Sequence, residues 1–281
     1  MGTILEITLS NDNAVKEALE VIKKTANSID LTTQKINSAK INYQVALNKD
    51  FQYLLQKADY YHKISKGRFD ITTATIAEKY GFPSGPFKIP NDKILENALK
   101  NYGWKNLISN EKYVFKKTDL KINTGAYAKG YIVDKAVEYL KSKNISSGLI
   151  NAGGDLYALG SKNGKNWKIA IQNPMSKEKY LSIVNLKDKA LATSGNYERF
   201  FEKDGKRIIH IFDGKTGMTA NNYQSVSVIA NSTETADGLA TVYFLSNINE
   251  IKNLCKKYKT PVLIYTLDNK LLKLCNWKQY E

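Results

Sequence analysis

TETADGLATVYFLS, residues 233–246, places a carboxylate, Asp237, four positions before a hydroxyl, Thr241, on what otherwise reads as the apolar side of a helix. Positions i and i+4 share a helix face. A carboxylate is costly to bury without a partner, so this helix predicts a neutralising group beside it. Its neighbours bear on the fold class. QSVSVIAN (224–231) ahead of it reads as a strand, NINEIKNLCKKYK (247–259) behind it as a second helix, and TPVLIYTLDNKLLKLCNW (260–277) as a closing hairpin. That order lacks the steady strand–helix–strand rhythm of a doubly wound sheet, and predicts an α+β fold.

The rest of the chain agrees. Residues 3–9 alternate as a strand, and a helix capped near Asn11 or Asp12 follows, with Ala14, Val15, Ala18, Leu19 and Ile22 as its apolar stripe. A second helix is predicted over 49–65, stopped by Gly67, and a third over 91–101 with Asn91 as its cap. Strands are expected at 104–108, 112–116 and 119–123. NTGAYAKGYIVDKAVEYLKSKN (123–144) is a turn into a helix with Ile132, Val133, Ala136, Val137 and Leu140 inward. Strands then crowd together at 147–151, 155–160, 167–172, 180–186, 190–194, 198–203 and 207–213, with hairpin turns at Asn163-Gly164 and Asp204-Gly205. No Pro/Gly/Ser linker, low-complexity tract or short-period repeat interrupts the chain. One domain over 1–281, built as two lobes, is the expected organisation.

Composition sets bounds on this. A chain of 281 residues, 42% hydrophobic, can bury a sizeable core. It holds no stretch long and apolar enough to span a membrane. MGTILEITLS at the start carries Glu6 and lacks a basic beginning and a long apolar run, so it does not read as a signal peptide; either the protein stays in the cytoplasm or an export segment precedes this stretch, and the sequence leaves the two open. The net charge of +15 comes from scattered lysines, and the only arginines are Arg68, Arg199 and Arg207, so no nucleic-acid partner is expected. Cys255 fits a helix and Cys275 a strand; they read by default as two buried thiols, with a disulfide between them left open.

Four stretches have the residue types for chemistry. Asp237 with Thr241 would suit a hard cation such as Mg²⁺, although that spacing alone is common and equally describes a threonine bonded back to its own helix. GAYAKG (125–130) opens a helix with small residues; taken alone it reads first as an ordinary glycine-punctuated helix start, and otherwise as N–H groups open to an anion, with Lys129 as a point charge and Asn123 just ahead. NAGGD (151–155) is a tight glycine pair between strands, read as structural. His210 ends an apolar strand beside a loop and reads equally as a hydrogen-bonded strand histidine or as a general base, with Asp213 near enough to orient or compete with it. His62, in an amphipathic helix, reads as a partly exposed structural residue.

Taken in order, MGT (1–3), GRFDIT (67–72), INTGAYAKGYIVD (122–134), INAGGDL (150–156), ATSGNYERFF (192–201), HIFDGKTG (210–217) and TADGLAT (235–241) resemble the ApbE family of flavin transferases, over nearly the whole chain. The resemblance implies an α+β fold of mixed and antiparallel sheets with helices, its two lobes around an FAD cleft. It implies transfer of FMN from the substrate FAD to a Thr or Ser hydroxyl on a target flavoprotein subunit of a membrane electron-transfer complex, with release of AMP. Some members hydrolyse FAD to FMN and AMP instead, and a protein that only binds FAD is a third reading. Many members are exported. By motif position, Mg²⁺ would be held by the Ala126 carbonyl, Asp237 and Thr241. FAD contacts would come from Met1, Arg68, Phe69, Asp70, Asn123, Lys129 and Phe212, with Asn27 beside the adenine. His210, with Asp213, would activate the acceptor hydroxyl. Three positions depart from the family's pattern: Asn123 stands where Asp is usual, Asn27 where an aromatic ring is frequent, and Asp213-Gly214 where Asp-Pro is usual.

Overall fold

The computed structural model describes residues 3–281, apart from the side chain of Lys177. In chain order the elements are β1 (Leu5–Thr8), α1 (Asp12–Ser38), β2 (Val45–Ala46), α2 (Lys49–Ile64), α3 (Ala74–Ala77), α4 (Asp92–Asn101), β3 (Leu107–Ser109) and β4 (Tyr113–Lys116). Then follow α5 (Ala128–Ser142), β5 (Gly148–Ala152), β6 (Asp155–Leu159), β7 (Trp167–Asn173), β8 (Ser176–Leu186), β9 (Lys189–Gly195), β10 (Phe200–Lys203) and β11 (Lys206–Ile209). The chain closes with β12 (Tyr223–Ala230), α6 (Thr233–Phe244), α7 (Ile248–Tyr258), β13 (Val262–Thr266) and β14 (Leu271–Leu274). Among the described residues no helix is long and apolar enough to cross a membrane.

The helix starts follow their capping residues. The Asn11 side chain accepts from the N–H of Asn13 and Ala14, Asn48 from Phe51, and Asn91 from Ile94. Asn247 and Glu250 form a reciprocal capping box at α7. The hairpin turns at Asn163-Gly164 and Asp204-Gly205 have positive φ at both residues, as two-residue turns that match strand twist require.

The described chain divides into two compact units. The first comprises residues up to 26, 125–195 and 222–281. Its sheet runs β1-β5-β6-β9-β12-β13-β14, antiparallel at every step. Helices α5 and α6 pack on this sheet and on each other. Leu191 and Ile229, paired across β9 and β12, join Trp167, Ile169, Val184 and Trp277 in one core cluster. Side chains alternate across a strand, so Ser194 and Val226, an odd number of positions along, look to the opposite face, where Ser194 meets Thr241 of α6. β12 is buried along its whole length, so both of its faces are covered and its serines lie inside with its valines.

The second unit comprises residues 27–124 and 196–221. It carries α2, α3, α4, the small antiparallel sheet β2-β4-β3 and the β10-β11 hairpin. Ile76, Tyr80, Phe82, Ala98, Ile208 and Phe212 form one of its core clusters. Lys116 is buried, and its ammonium donates to the carbonyls of Asn37 and Leu120. A cation at the Asn37 carbonyl suits the C-terminal end of a helix dipole.

The α+β expectation is met, with antiparallel sheets and helices together. Four local expectations are corrected. Residues 119–123 are extended but pair with no strand, because Leu120 and Ile122 spend their carbonyls on the Lys116 ammonium and the Asn37 amide. Trp104–Asn106 is a 3₁₀ turn, and the strand begins only at Leu107. The strand expected over 207–213 stops at Ile209, where a loop begins. Cys255 and Cys275 are a disulfide rather than two thiols. Cys275 lies just beyond β14 in a left-handed conformation, φ 52°, which ends the strand beside α7.

Candidate functional site

In the first unit the site begins where α5 and α6 meet. A helix leaves its first N–H groups without partners inside the helix. The Gly130 N–H, in the first turn of α5, donates to Asp237 Oδ2 at 3.0 Å. At the other helix the same is done in return. Asp134 of α5 accepts from the Thr233 and Glu234 N–H groups at 2.7 and 2.9 Å, at the start of α6. The backbones are close enough that a Cβ on Gly130 would run into the Thr233 carbonyl and lie 2.7 Å from Glu234 Cα. Glycine is required here by the approach of the chains.

Asp237 is buried, and part of the neutralisation that its burial demands comes from the positive end of α5. The other oxygens lie beside it in the sequence or across from it. Thr241 Oγ1 donates to the Ala126 carbonyl at 3.2 Å and lies 3.1 Å from Ser194 Oγ. Lys129, also in the first turn of α5, ion-pairs with Asp155 Oδ2 at 2.6 Å. Burial pushes the Asp155 carboxyl up, and the Lys129 ammonium and the Thr193 N–H pull it back. Burial also pushes Asp134 up to about 6, against the lowering effect of the two N–H groups it caps. Tyr127 is raised by burial and then by Glu234.

The carboxylate, hydroxyl and carbonyl of Asp237, Thr241 and Ala126 are all oxygen donors. Two oxygens that bind one Mg²⁺ at right angles, each about 2.1 Å from it, stand about 3 Å apart. The Thr241 to Ala126 separation of 3.2 Å fits that requirement. Among the described residues there is no cluster of three or more His, Cys, Asp or Glu side chains suited to a metal. The donor set therefore matches a hard cation that keeps part of its coordination for water or a ligand, and does not match the imidazole and thiolate sets of zinc or copper.

The second unit holds the other expected residues. His210 follows β11, and its Nδ1 lies 3.2 Å from the Arg199 carbonyl. A carbonyl only accepts, so Nδ1 carries the proton and the neutral ring keeps its lone pair on Nε2. The Asp213 carboxylate accepts from the Lys215 N–H at 2.8 Å, within its own turn. The Gly214 N–H donates to the Arg68 carbonyl at 2.7 Å, which ties this loop to the 67–70 segment. Arg68 is half-buried. Asp70 is a knot of that segment: its carboxylate accepts from the Thr72 N–H and hydroxyl and from the Trp104 N–H. Burial raises its carboxyl against these bonds.

Phe69 and Phe212 are buried, the second between Tyr80 and Phe82, so their rings serve the core and only their backbone is left to offer a ligand. Asn123 is exposed and held by its N–H on the Ile71 carbonyl. Asn27 is an exposed position on α1. Met1 lies outside the described residues. His62 is half-buried, stacked on Trp104, with Nδ1 3.0 Å from the Phe69 carbonyl. The roles of Asp134 and Asp155 were not anticipated. Both sit inside the quoted motifs, but only the pairing of α5 with α6 and with the sheet shows what they touch.

Oxygen donors and a lysine at the mouth of a helix are the residue types that an anion and a hard cation would require. Comparison narrows this to one family. The model described as ApbE family matches residues 1–264, and the chain belongs to that family. It is 28% identical to the FAD:protein FMN transferase of Haemophilus influenzae, over 96% of this chain and 85% of that one. It is 30% identical to the protein of the same name from Buchnera aphidicola, over 84% and 72% of the two chains. The crystal structure of the ApbE protein from Thermotoga maritima superposes with a TM-score of 0.92 at 29% identity, covering 100% of this chain and 96% of that chain. The flavin transferase ApbE from Vibrio cholerae gives 0.85 at 25% identity, with 100% and 96% covered.

Proposed function

We propose that this chain is a Mg²⁺-dependent FAD:protein FMN transferase, which moves FMN from FAD to a Thr or Ser hydroxyl of a target protein and releases AMP. The observation that carries the reading is the oxygen-only set of Ala126, Asp237 and Thr241 at the start of α5, beside Lys129. Support comes from relatives of that name that align with most of the chain. The target in this reading is a flavoprotein subunit of a membrane electron-transfer complex.

Ala126 O, Asp237 and Thr241 Oγ1 would hold the Mg²⁺, which when bound supplies Lewis-acid relief of charge on the pyrophosphate. Lys129 binds the phosphate oxygens as a point charge, and the α5 start adds its dipole. Arg68, Asn123 and Asn27, with the backbone at Phe69, Asp70 and Phe212, are the remaining FAD contacts in this reading. His210 takes the proton of the acceptor hydroxyl on Nε2, with Nδ1–H anchored on the Arg199 carbonyl. The hydroxyl oxygen forms a bond to the FMN-side phosphorus, and the bond from that phosphorus to the bridging oxygen breaks. AMP leaves with that oxygen. Asp213, bonded into its own turn, shapes the loop that carries His210.

The exposed, polar Asn27 favours a second reading, in which water replaces the hydroxyl and the chain is an FAD pyrophosphatase. One experiment separates the readings. The protein is incubated with FAD and Mg²⁺, with and without an acceptor protein, and the acceptor's intact mass and the AMP formed are followed. Transfer requires an acceptor gain of one FMN in step with AMP. AMP without any mass gain establishes hydrolysis, and intact FAD in both arms refutes both enzymes in favour of simple FAD binding.

A further inference from the structure

Asp155 is 1% exposed, at the first position of β6 after the Gly153-Gly154 turn. Its carboxylate accepts from the Thr193 N–H of β9 and ion-pairs with Lys129 Nζ at 2.6 Å. A buried carboxylate tied to the sheet is a fixed point. The Lys129 ammonium sits at the end of four flexible methylenes, and such a stem loses its rotamer freedom only when something holds the far end. Its side chain remains 22% exposed, so the pair with Asp155 anchors Lys129 without burying it.

We propose that Asp155 is a positioning residue, which aims the Lys129 ammonium at the phosphates of the bound dinucleotide. This rests on the reading of Lys129 as a phosphate ligand. Pairing has two opposed effects. It lowers the net charge near the anion, which weakens ground-state attraction, and it removes the wandering of the ammonium, which favours the one geometry that stabilises charge during transfer. Positioning wins where turnover is concerned, because a misplacement of about 1 Å is enough to cost on the order of 10²-fold.

The test uses purified protein, FAD and Mg²⁺, with AMP release for turnover and flavin fluorescence for FAD affinity. Asp155→Asn keeps an oxygen for the Thr193 N–H and loses the ion pair. It is expected to lower kcat roughly tenfold to a hundredfold, with FAD affinity unchanged or tighter. A purely structural role would weaken both together. Lys129→Met should weaken FAD binding, and adding Asp155→Asn to it should cost nothing further, since the two residues act as one unit. Asp155→Glu keeps the charge but displaces the ammonium by one methylene, and should lower kcat with the fold intact; it carries the test if the Asn variant does not fold. Wild-type kcat in the Asn or Glu variant, or an equal loss from Asp155→Asn with and without Lys129, overturns the proposal. If Lys129→Met alone leaves FAD affinity and kcat untouched, the underlying reading of Lys129 falls first, and this inference falls with it.

Discussion

Asp134 and Asp237 cap each other's helices. Asp134 on α5 accepts the first N–H groups of α6, and Asp237 on α6 accepts the Gly130 N–H in the first turn of α5. Each carboxylate is neutralised in part by the dipole of the helix it does not belong to. The arrangement ties the Asp237 carboxylate to the first turn of α5, the turn that also carries Lys129. It also means that Asp237 serves the fold and the proposed site at once, and the two roles can be separated by experiment.

Stability should report the first capping residue through pH. Burial raises Asp134 to about 6, from an ordinary value of 3.8. An acid raised in the folded state is favoured there in its protonated form, so its contribution is whole below about pH 4 and is lost as pH rises through about 6. Asp134→Asn has no such proton. The stability of the wild type relative to Asp134→Asn should therefore fall between pH 4 and 6.5, by up to about 3 kcal/mol for a shift of about two units. Urea melts of both proteins across that range check it; a difference that widens with pH would contradict the assignment.

For Asp237 the two substitutions should part company. Asp237→Asn keeps an oxygen for the Gly130 N–H and should unfold close to the wild type. It should still lose Mg²⁺-dependent AMP release by several kcal/mol of transition-state stabilisation, the order expected when a Lewis acid is lost. Asp237→Ala should lose the same activity and, in addition, about 1 kcal/mol of stability with the cap. Thermal melts read beside AMP release distinguish them, and normal turnover in the Asn variant would remove the proposed metal site.

Much of this pairing was hidden from sequence reading, for a physical reason. Helix faces, strand alternation and caps are local, and Asn11, Asn91 and the stripe of α5 are all recognisable from spacing. Asp237 and Thr241 on one buried face, and Lys129 opening a helix, are legible in the same way. What Asp134 and Asp155 touch depends on contacts across 99 residues in one case and 26 in the other, which no local period encodes. The disulfide is another such contact, since Cys255 and Cys275 fit their own elements as thiols until α7 and the end of β14 are seen together. Phe69 and Phe212 show that a motif position does not say whether ring or backbone faces outward. Their motifs suggest ligand contacts, while their rings are needed by the core.

His210→Ala should slow FMN transfer by roughly 10²–10⁴-fold, the range for a general base. Its ring bonds to the Arg199 backbone through Nδ1, and a small substitute leaves that carbonyl open to water at a half-buried position. Stability should change little by comparison. Transfer measured by acceptor mass, with melts as the control, tests this, and a wild-type rate would end the catalytic role of His210.

Gly214 tests the departure from the family's usual Asp-Pro. Its N–H donates to the Arg68 carbonyl at 2.7 Å, and proline has no N–H to give. Any Cβ at this position would also stand 2.6 Å from both Asp70 Cβ and the Gly67 carbonyl, so the loop lies closer to the 67–70 segment than a side chain permits. Restoring the family residue by Gly214→Pro should therefore destabilise this chain, by roughly 1–3 kcal/mol for overpacking and the stranded carbonyl together. Because the Tyr102 hydroxyl donates to the Gly214 carbonyl at 3.2 Å, the strain should reach Tyr102 as well. Urea melts of Gly214→Pro and of Gly214→Ala check the argument. Alanine keeps the N–H and should lose less than proline, and equal losses would show that crowding acts alone, with no part played by the bond to Arg68.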